Sequence, residues 1–215
     1  MKITIDTEQV LNTLGHDGEH WVQGVWETPE GGMCLHGAIQ KCQPKPGDAC
    51  LIRQVARREG WGIGFNDEAE GWSVVKNRIL EGLEVTDQQL EETYGPNWRY
   101  IVTLTRQAAS LTEEQAERIG AAWNAAWNAA QDAAWSAAWC AARRTAARNA
   151  AWSAAWSAAR NAARNADGDV VGDAVGNAAY ALVVRDLIYY EHYQALAGPW
   201  ESVMGPITEC CEDDE

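Results

Sequence analysis

The chain has 215 residues, and its 17 Lys and Arg against 31 Asp and Glu leave a formal net charge of −14. So acidic a surface excludes free-standing nucleic-acid binding and docking on an anionic membrane, because both need cations facing phosphate. The apolar share rests on Ala and 12 Trp with a single Phe, in a chain long enough for one large or two small domains.

Residues 1–85 read as a compact unit of short helices. "MKITIDTEQV" lacks the apolar centre of a signal peptide, so the expected setting is the cytoplasm, with reduced thiols. In "DTEQVLNTLG", Asp6 is the N-cap, Val10, Leu11 and Leu14 share a face, and Gly15 is the stop. "HWVQGVW" has the character of a strand but no partner strand to pair with. "MCLHGAIQKC" places Leu35, Ala38, Ile39 and Cys42 at helical spacing, and "PKPG" then breaks the chain. The next helix starts on Asp48 with Leu51, Ile52, Val55 and Ala56 inward, and "GWSVVKNRILEGL" repeats the pattern with Trp72, Val75, Ile79 and Leu83. Residues 86–110 form a helical connector, opened by a capping box of Thr86 and Gln89.

Residues 111–166 contain the most unusual feature. Thr112 and Gln115 make a second capping box, Glu113, Glu114 and Glu117 fill the first turns, and Arg160 and Arg164 lie at the far end. Acid first and base last complements the helix dipole, and no Gly or Pro falls between Gly120 and Gly168. One very long helix is therefore expected, with a bend near 143–149 as the alternative. A return helix occupies 167–199, and 200–215 is an acidic tail. The expected fold is all-α: a small N-terminal multi-helix domain, the long Ala/Trp-rich helix, and an antiparallel return. No uninterrupted apolar run is long enough for a membrane span, since Asp132 or an arginine breaks each candidate.

Within the tract the tryptophans recur every four residues. Taking Trp123 as zero, Trp127, Trp135 and Trp139 fall at roughly 40°, 120° and 160° around a helix. One extra residue before Arg144 resets the phase, so Trp152 and Trp156 return to roughly 20° and 60°. Arg144, Arg148, Arg160 and Arg164 rim this stripe. Unbroken, the tract would be roughly 80 Å long, against a diameter of about 45 Å for a compact chain of this size. Covering its six tryptophans means burying about 900–1,500 Å², whereas soluble monomers leave about 300–600 Å² of contiguous apolar patch exposed. The return helix covers less than half. The interface expected of these ten residues is with a second copy of the chain or with a host protein.

Other candidate chemistry lies in the first 85 residues. Gln23, Asn66 and Asp67 beside Trp61 and Trp72 could line a pocket for a nucleotide-like ligand, while the simpler reading makes Asn66 or Asp67 a helix cap. His16, His20, Cys34, His36 and Cys42 are the densest set of metal-ligand types, with the first four as the outside candidate, but Cys34-x-His36 is too tight for a zinc knuckle. The six cysteines, one in the tract and two adjacent, form no disulfide framework. No Ser-His-Asp set, phosphate loop or paired-carboxylate signature occurs, and no cofactor is implied.

Residues 7–83, through "HWVQGVW", "MCLHGAI" and "GFNDEAEGWSVVKNRILEGL", resemble a domain family of unknown function widespread in actinobacteria and their phages. The tract and "ALVVRDLIYYEHYQALAGPWESVMGP" are similar to Ala-rich repeats and an "RDLI…PW" ending in uncharacterised proteins from the same sources. The resemblance implies an accessory protein and carries no activity. The expectation is a non-enzymatic helical interaction protein working through the rod, with a small-ligand binder or enzyme in residues 1–85 as the alternative.

Overall fold

The alternation Ile3-Thr4-Ile5 pairs antiparallel with Leu83-Glu84-Val85, putting Ile3 opposite Val85 and Ile5 opposite Leu83. All four apolar side chains are buried, and Lys2 forms an ion pair with Glu84 at the edge. These strands, β1 (Ile3–Ile5) and β2 (Leu83–Val85), form a small two-stranded sheet in a fold that is, as expected, mainly α. The computed structural model describes residues 2–140, 145–162 and 168–210, with the backbone alone for 128–140, 145 and 162. The chain divides into two compact units, Met1–Gln89 and Leu90–Glu215.

In the first unit, Asp6 Oδ1 accepts from Glu8 N at 2.9 Å and Gln9 N at 3.2 Å, starting α1 (Thr7–Leu14), which buries Val10, Leu11 and Leu14. Cys34 caps α2 (Leu35–Lys41) by accepting from Gly37 N at Sγ, and α3 (Asp48–Arg58) buries Leu51, Ile52, Val55 and Ala56 as its spacing predicts. After α4 (Ile63–Glu68), α5 (Trp72–Leu80) turns Val75 and Ile79 inward. α1 packs on α2 and α5, and α2 on α3 and α4. "HWVQGVW" forms no strand of its own; Trp21 within it and Glu27 just after it make isolated bridges, each pairing with Met33.

The division falls within α6 (Asp87–Tyr94), whose Thr86–Gln89 capping box is formed, and α7 (Trp98–Ala109) belongs to the second unit. From Leu90 on, the expected 86–110 connector is thus part of a packed body: α7 lies against the second Ala/Trp helix and buries Trp98, Ile101, Val102 and Leu104. Leu90 and Tyr94 are buried as well, which draws the end of α6 into this body.

The long rod is where structure and expectation part. The tract gives α8 (Glu113–Cys140) and α9 (Thr145–Ala162), with residues 141–144 outside the described residues. Gly120 in α8 sits within 4 Å, by its Cβ direction, of Val170 and Val171, while Trp156 in α9 packs on Gly172. Positions 120 and 156 therefore flank neighbouring residues of α10 (Gly168–Val184). In one straight helix those 36 residues would separate them by about 54 Å. The tract doubles back, and α10 is in contact with both of its halves.

The return segment is also two helices. A tight turn at Arg185–Leu187 and extended Ile188 separate α10 from α11 (Tyr190–Met204). No Gly or Pro marks that turn; Arg185 fixes it by lying over the rings of Tyr100 and Tyr193 at 5.1 and 5.8 Å. α11 then continues through Gly198-Pro199, where a chain stop is expected. A helical proline costs about 3 kcal/mol, but removing a buried tryptophan costs about 3–5 kcal/mol, and Trp200 is fully buried one residue on. Burial wins, so Trp200–Met204 belong to α11 rather than to the tail, and Ile207 beyond them is buried too. Residues 211–215 lie outside the described residues.

Candidate functional site

In the first unit Asn66 is completely buried and works as a four-way clip. Its Oδ1 accepts from Trp21 Nε1 at 2.8 Å and Leu35 N at 3.0 Å. Its Nδ2 donates to the Val22 carbonyl at 3.2 Å and to Asp67 Oδ1 at 3.1 Å. Two acceptances and two donations are the full capacity of an amide side chain. Gln23 Nε2 likewise donates to the carbonyls of Asn66, Asp67 and Ala69, and Asp67 Oδ1 accepts from Gly24 N at 2.9 Å. That backbone bond, helped by Asn66, holds the Asp67 carboxyl below its ordinary range. Trp72 sits 6.0 Å from Trp21 and donates to the His16 carbonyl. Four of the five residues expected to line a pocket, Gln23, Asn66, Asp67 and Trp72, fasten loop 15–34 to the helices; neither Asn66 nor Asp67 is an N-cap of α4, because Gly62 precedes it.

Trp61, the fifth of them, is buried with His36 stacked on it at 6.1 Å and the Arg78 guanidinium 4.5 Å from its ring. His36 Nε2 lies 3.3 Å from the Trp61 carbonyl, and burial pushes its pKa below the ordinary value. Such a histidine folds neutral, so the unfolded chain takes up the proton first as pH falls below about 6.5. The expected result is constant stability above that pH and a loss below it of at most about 1.4 kcal/mol per pH unit. Urea midpoints between pH 8 and pH 5, compared with His36→Gln, measure it. Cys34 is buried in its capping role, whereas His16 is exposed and shared between Asn12 and Glu8. Among the described residues no three His, Cys, Asp or Glu side chains are grouped to hold a metal, so His16, His20, Cys34 and His36 are not brought together as one site.

In the second unit the expected interface residues divide. Trp152 and Trp156 stack on each other at 5.6 Å and lean into Gly176 and Gly172 of α10. A Cβ added at Gly176 would stand 2.4 Å from Trp152 Nε1, and one at Gly172 would stand 2.6 Å from Trp156 Nε1. Two indoles four residues apart on α9 thus meet two glycines four residues apart on α10, running antiparallel. Arg148 lies over Tyr180, and Arg160 lies over Trp156 while pairing with Asp169 at 3.2 Å. Trp123 is buried, whereas its edge-on neighbour Trp127 is 43% exposed. Arg144 and Arg164 lie outside the described residues, as do the side chains of Trp135 and Trp139.

A cavity of about 510 Å³ opens in the first unit between the end of α3 and the start of α4, lined by Arg53, Gln54, Arg57, Ile63, Phe65 and Glu68 with three glycines. The Arg53 guanidinium lies 4.6 Å over Trp26, and its Nε is buried without a hydrogen-bond partner among the described residues. Its Nη2 donates to Gln40 Oε1 at 3.5 Å.

No protein-family model, no curated protein and no solved structure matches the chain.

The sequence reading missed this cavity. Its signal was present in two like charges at i and i+4, Arg53 and Arg57, in an acidic chain, followed by glycine at alternate positions 60, 62 and 64. Among the described residues no helix is long and apolar enough to cross a membrane.

Proposed function

We propose that the chain is a non-enzymatic assembly protein and that a second copy of it covers α8 from Trp127 onward. An accessory role is the setting that the resemblance to actinobacterial and phage proteins implies. The carrying observation is the contrast along the tract. The indoles of α9 are packed on glycines of the same chain, while Trp127, on α8, is left 43% exposed beside buried Trp123. At 28 residues α8 is about 42 Å long, against about 26 Å for α10 and about 23 Å for α11, which pack on it. The alanines between its tryptophans let another helix backbone approach closely.

Light scattering coupled to size exclusion tests this. The full chain is expected at about twice its 23.6 kDa mass at tens of micromolar, and Trp127→Glu at about the single mass. A single-chain mass for the unaltered protein contradicts self-association. A double mass unchanged in Trp127→Glu removes this residue from the contact.

A further inference from the structure

We propose that the cavity between α3 and α4 binds a small aromatic anion, its phosphate or carboxylate held by Arg53 and Arg57 and its ring laid on Phe65 and Ile63. The proposal concerns the first unit alone and does not depend on assembly.

Three observations carry it. First, the cavity, at about 510 Å³, falls within the 300–1,000 Å³ typical of small-ligand sites. Second, its cations are uncompensated. In a chain with 31 acidic residues, neither Arg53 nor Arg57 makes an ion pair among the described residues, although both sit one turn apart on α3, where like charges repel. Arg53 is held in place by its guanidinium lying 4.6 Å over the Trp26 ring, and it lines the cavity beside Arg57. A guanidinium presents paired donors that fit the two oxygens of a carboxylate or phosphate. Third, the remaining wall is apolar and open. Ile63 is 45% exposed, and Phe65, the single phenylalanine of the chain, is half-buried at the cavity. Glu68 lines the same cavity without pairing with either arginine, which favours a ligand with one anionic end and a hydrogen-bond donor elsewhere.

Nuclear magnetic resonance of the full chain provides the test, with adenosine monophosphate, benzoate and inorganic phosphate as probes. The Arg53 and Arg57 Nε–H signals are expected to move with all three, and the Phe65 amide only with the two aromatic probes. Tighter saturation by the nucleotide identifies phosphate as the anion, and by benzoate identifies carboxylate. Arg57→Gln, at an exposed position, is expected to weaken the aromatic probes about tenfold or more while leaving distant amides in place. Arginine signals that stay still up to about 10 mM of every probe overturn the proposal, because weaker binding than that is not a site. So does equal binding by Arg57→Gln, which places the ligand elsewhere.

Discussion

Replacing Asn66 by leucine is expected to destabilise the first unit by about 3–5 kcal/mol, although the two side chains have similar volume. The change strands the Trp21 indole N–H, the Leu35 amide and the Val22 carbonyl at once. Each buried group left unpaired costs about 1–3 kcal/mol, with the lower figure fitting Trp21 and Val22, which are only partly buried. For a body of this size, whose total stability is of the order of 5–13 kcal/mol, that is a large fraction. Asn66→Asp is expected to be no rescue. It keeps the acceptors but loses the donor to Val22, and it buries a carboxylate against Asp67. Hydrogen exchange read by mass spectrometry resolves the effect. Peptides from residues 35–58 should exchange at least about a hundredfold faster in Asn66→Leu, since every 1.4 kcal/mol is tenfold. A change under about 1 kcal/mol would mean that the clip is not holding the loop, and would return Asn66 to the list of groups free for a ligand.

The second large effect is expected in the Gly172→Val/Gly176→Val double variant, at about 3–5 kcal/mol against the second unit. Glycine in a helix interior ordinarily costs about 1 kcal/mol relative to alanine, so both positions look improvable from propensity alone. Packing reverses the sign. A Cβ at either position enters within 2.6 Å of a rigid indole, and valine adds two methyl groups beyond it. Either α9 and α10 separate or the indoles swing out and lose their cover; overpacking of this kind costs about 1–3 kcal/mol per site. Gly198→Ala is the internal control. Nothing lies within 4 Å of the Cβ it would gain in α11, so it should stabilise by about 0.5–1 kcal/mol. Chemical denaturation gives both numbers. Equal, small effects at Gly172, Gly176 and Gly198 would show that the indoles do not pack where the geometry puts them.

How much of this was legible in the sequence depended on the range of the interaction that decided it. Local signals read true: Asp6 as a cap, both Thr/Gln capping boxes, and the inward faces of α1 and α3. They are fixed within one or two turns. The β1–β2 pair joins residues 80 apart through three-residue strands, too short for any periodicity to stand out. The straight rod failed for the opposite reason. Its local helix signals are strong throughout, whereas the packing of α9 on α7 and on the glycines at 172 and 176 comes from distant segments. The four-residue spacing of the tryptophans was visible, but nothing in the tract itself announces its glycine partners on α10. At Asn66 the residue type singled out the position, yet one amide can clip a loop or greet a ligand, and its four bonds come from segments 31 to 45 residues away and from its neighbour.

We propose that the aromatic tract is divided: α9 packs on α10 of its own chain, and a second copy covers α8 from Trp127 onward. Hydroxyl-radical footprinting, quantifying oxidation at each of the 12 tryptophans from about 1 μM to about 100 μM protein, measures both halves at once. Trp127 should become protected as concentration rises, while Trp152 and Trp156 keep one intermediate rate and Trp123 and Trp200 stay protected throughout. Oxidation of Trp127 that ignores concentration, or protection of Trp152 and Trp156 that depends on it, would contradict the account.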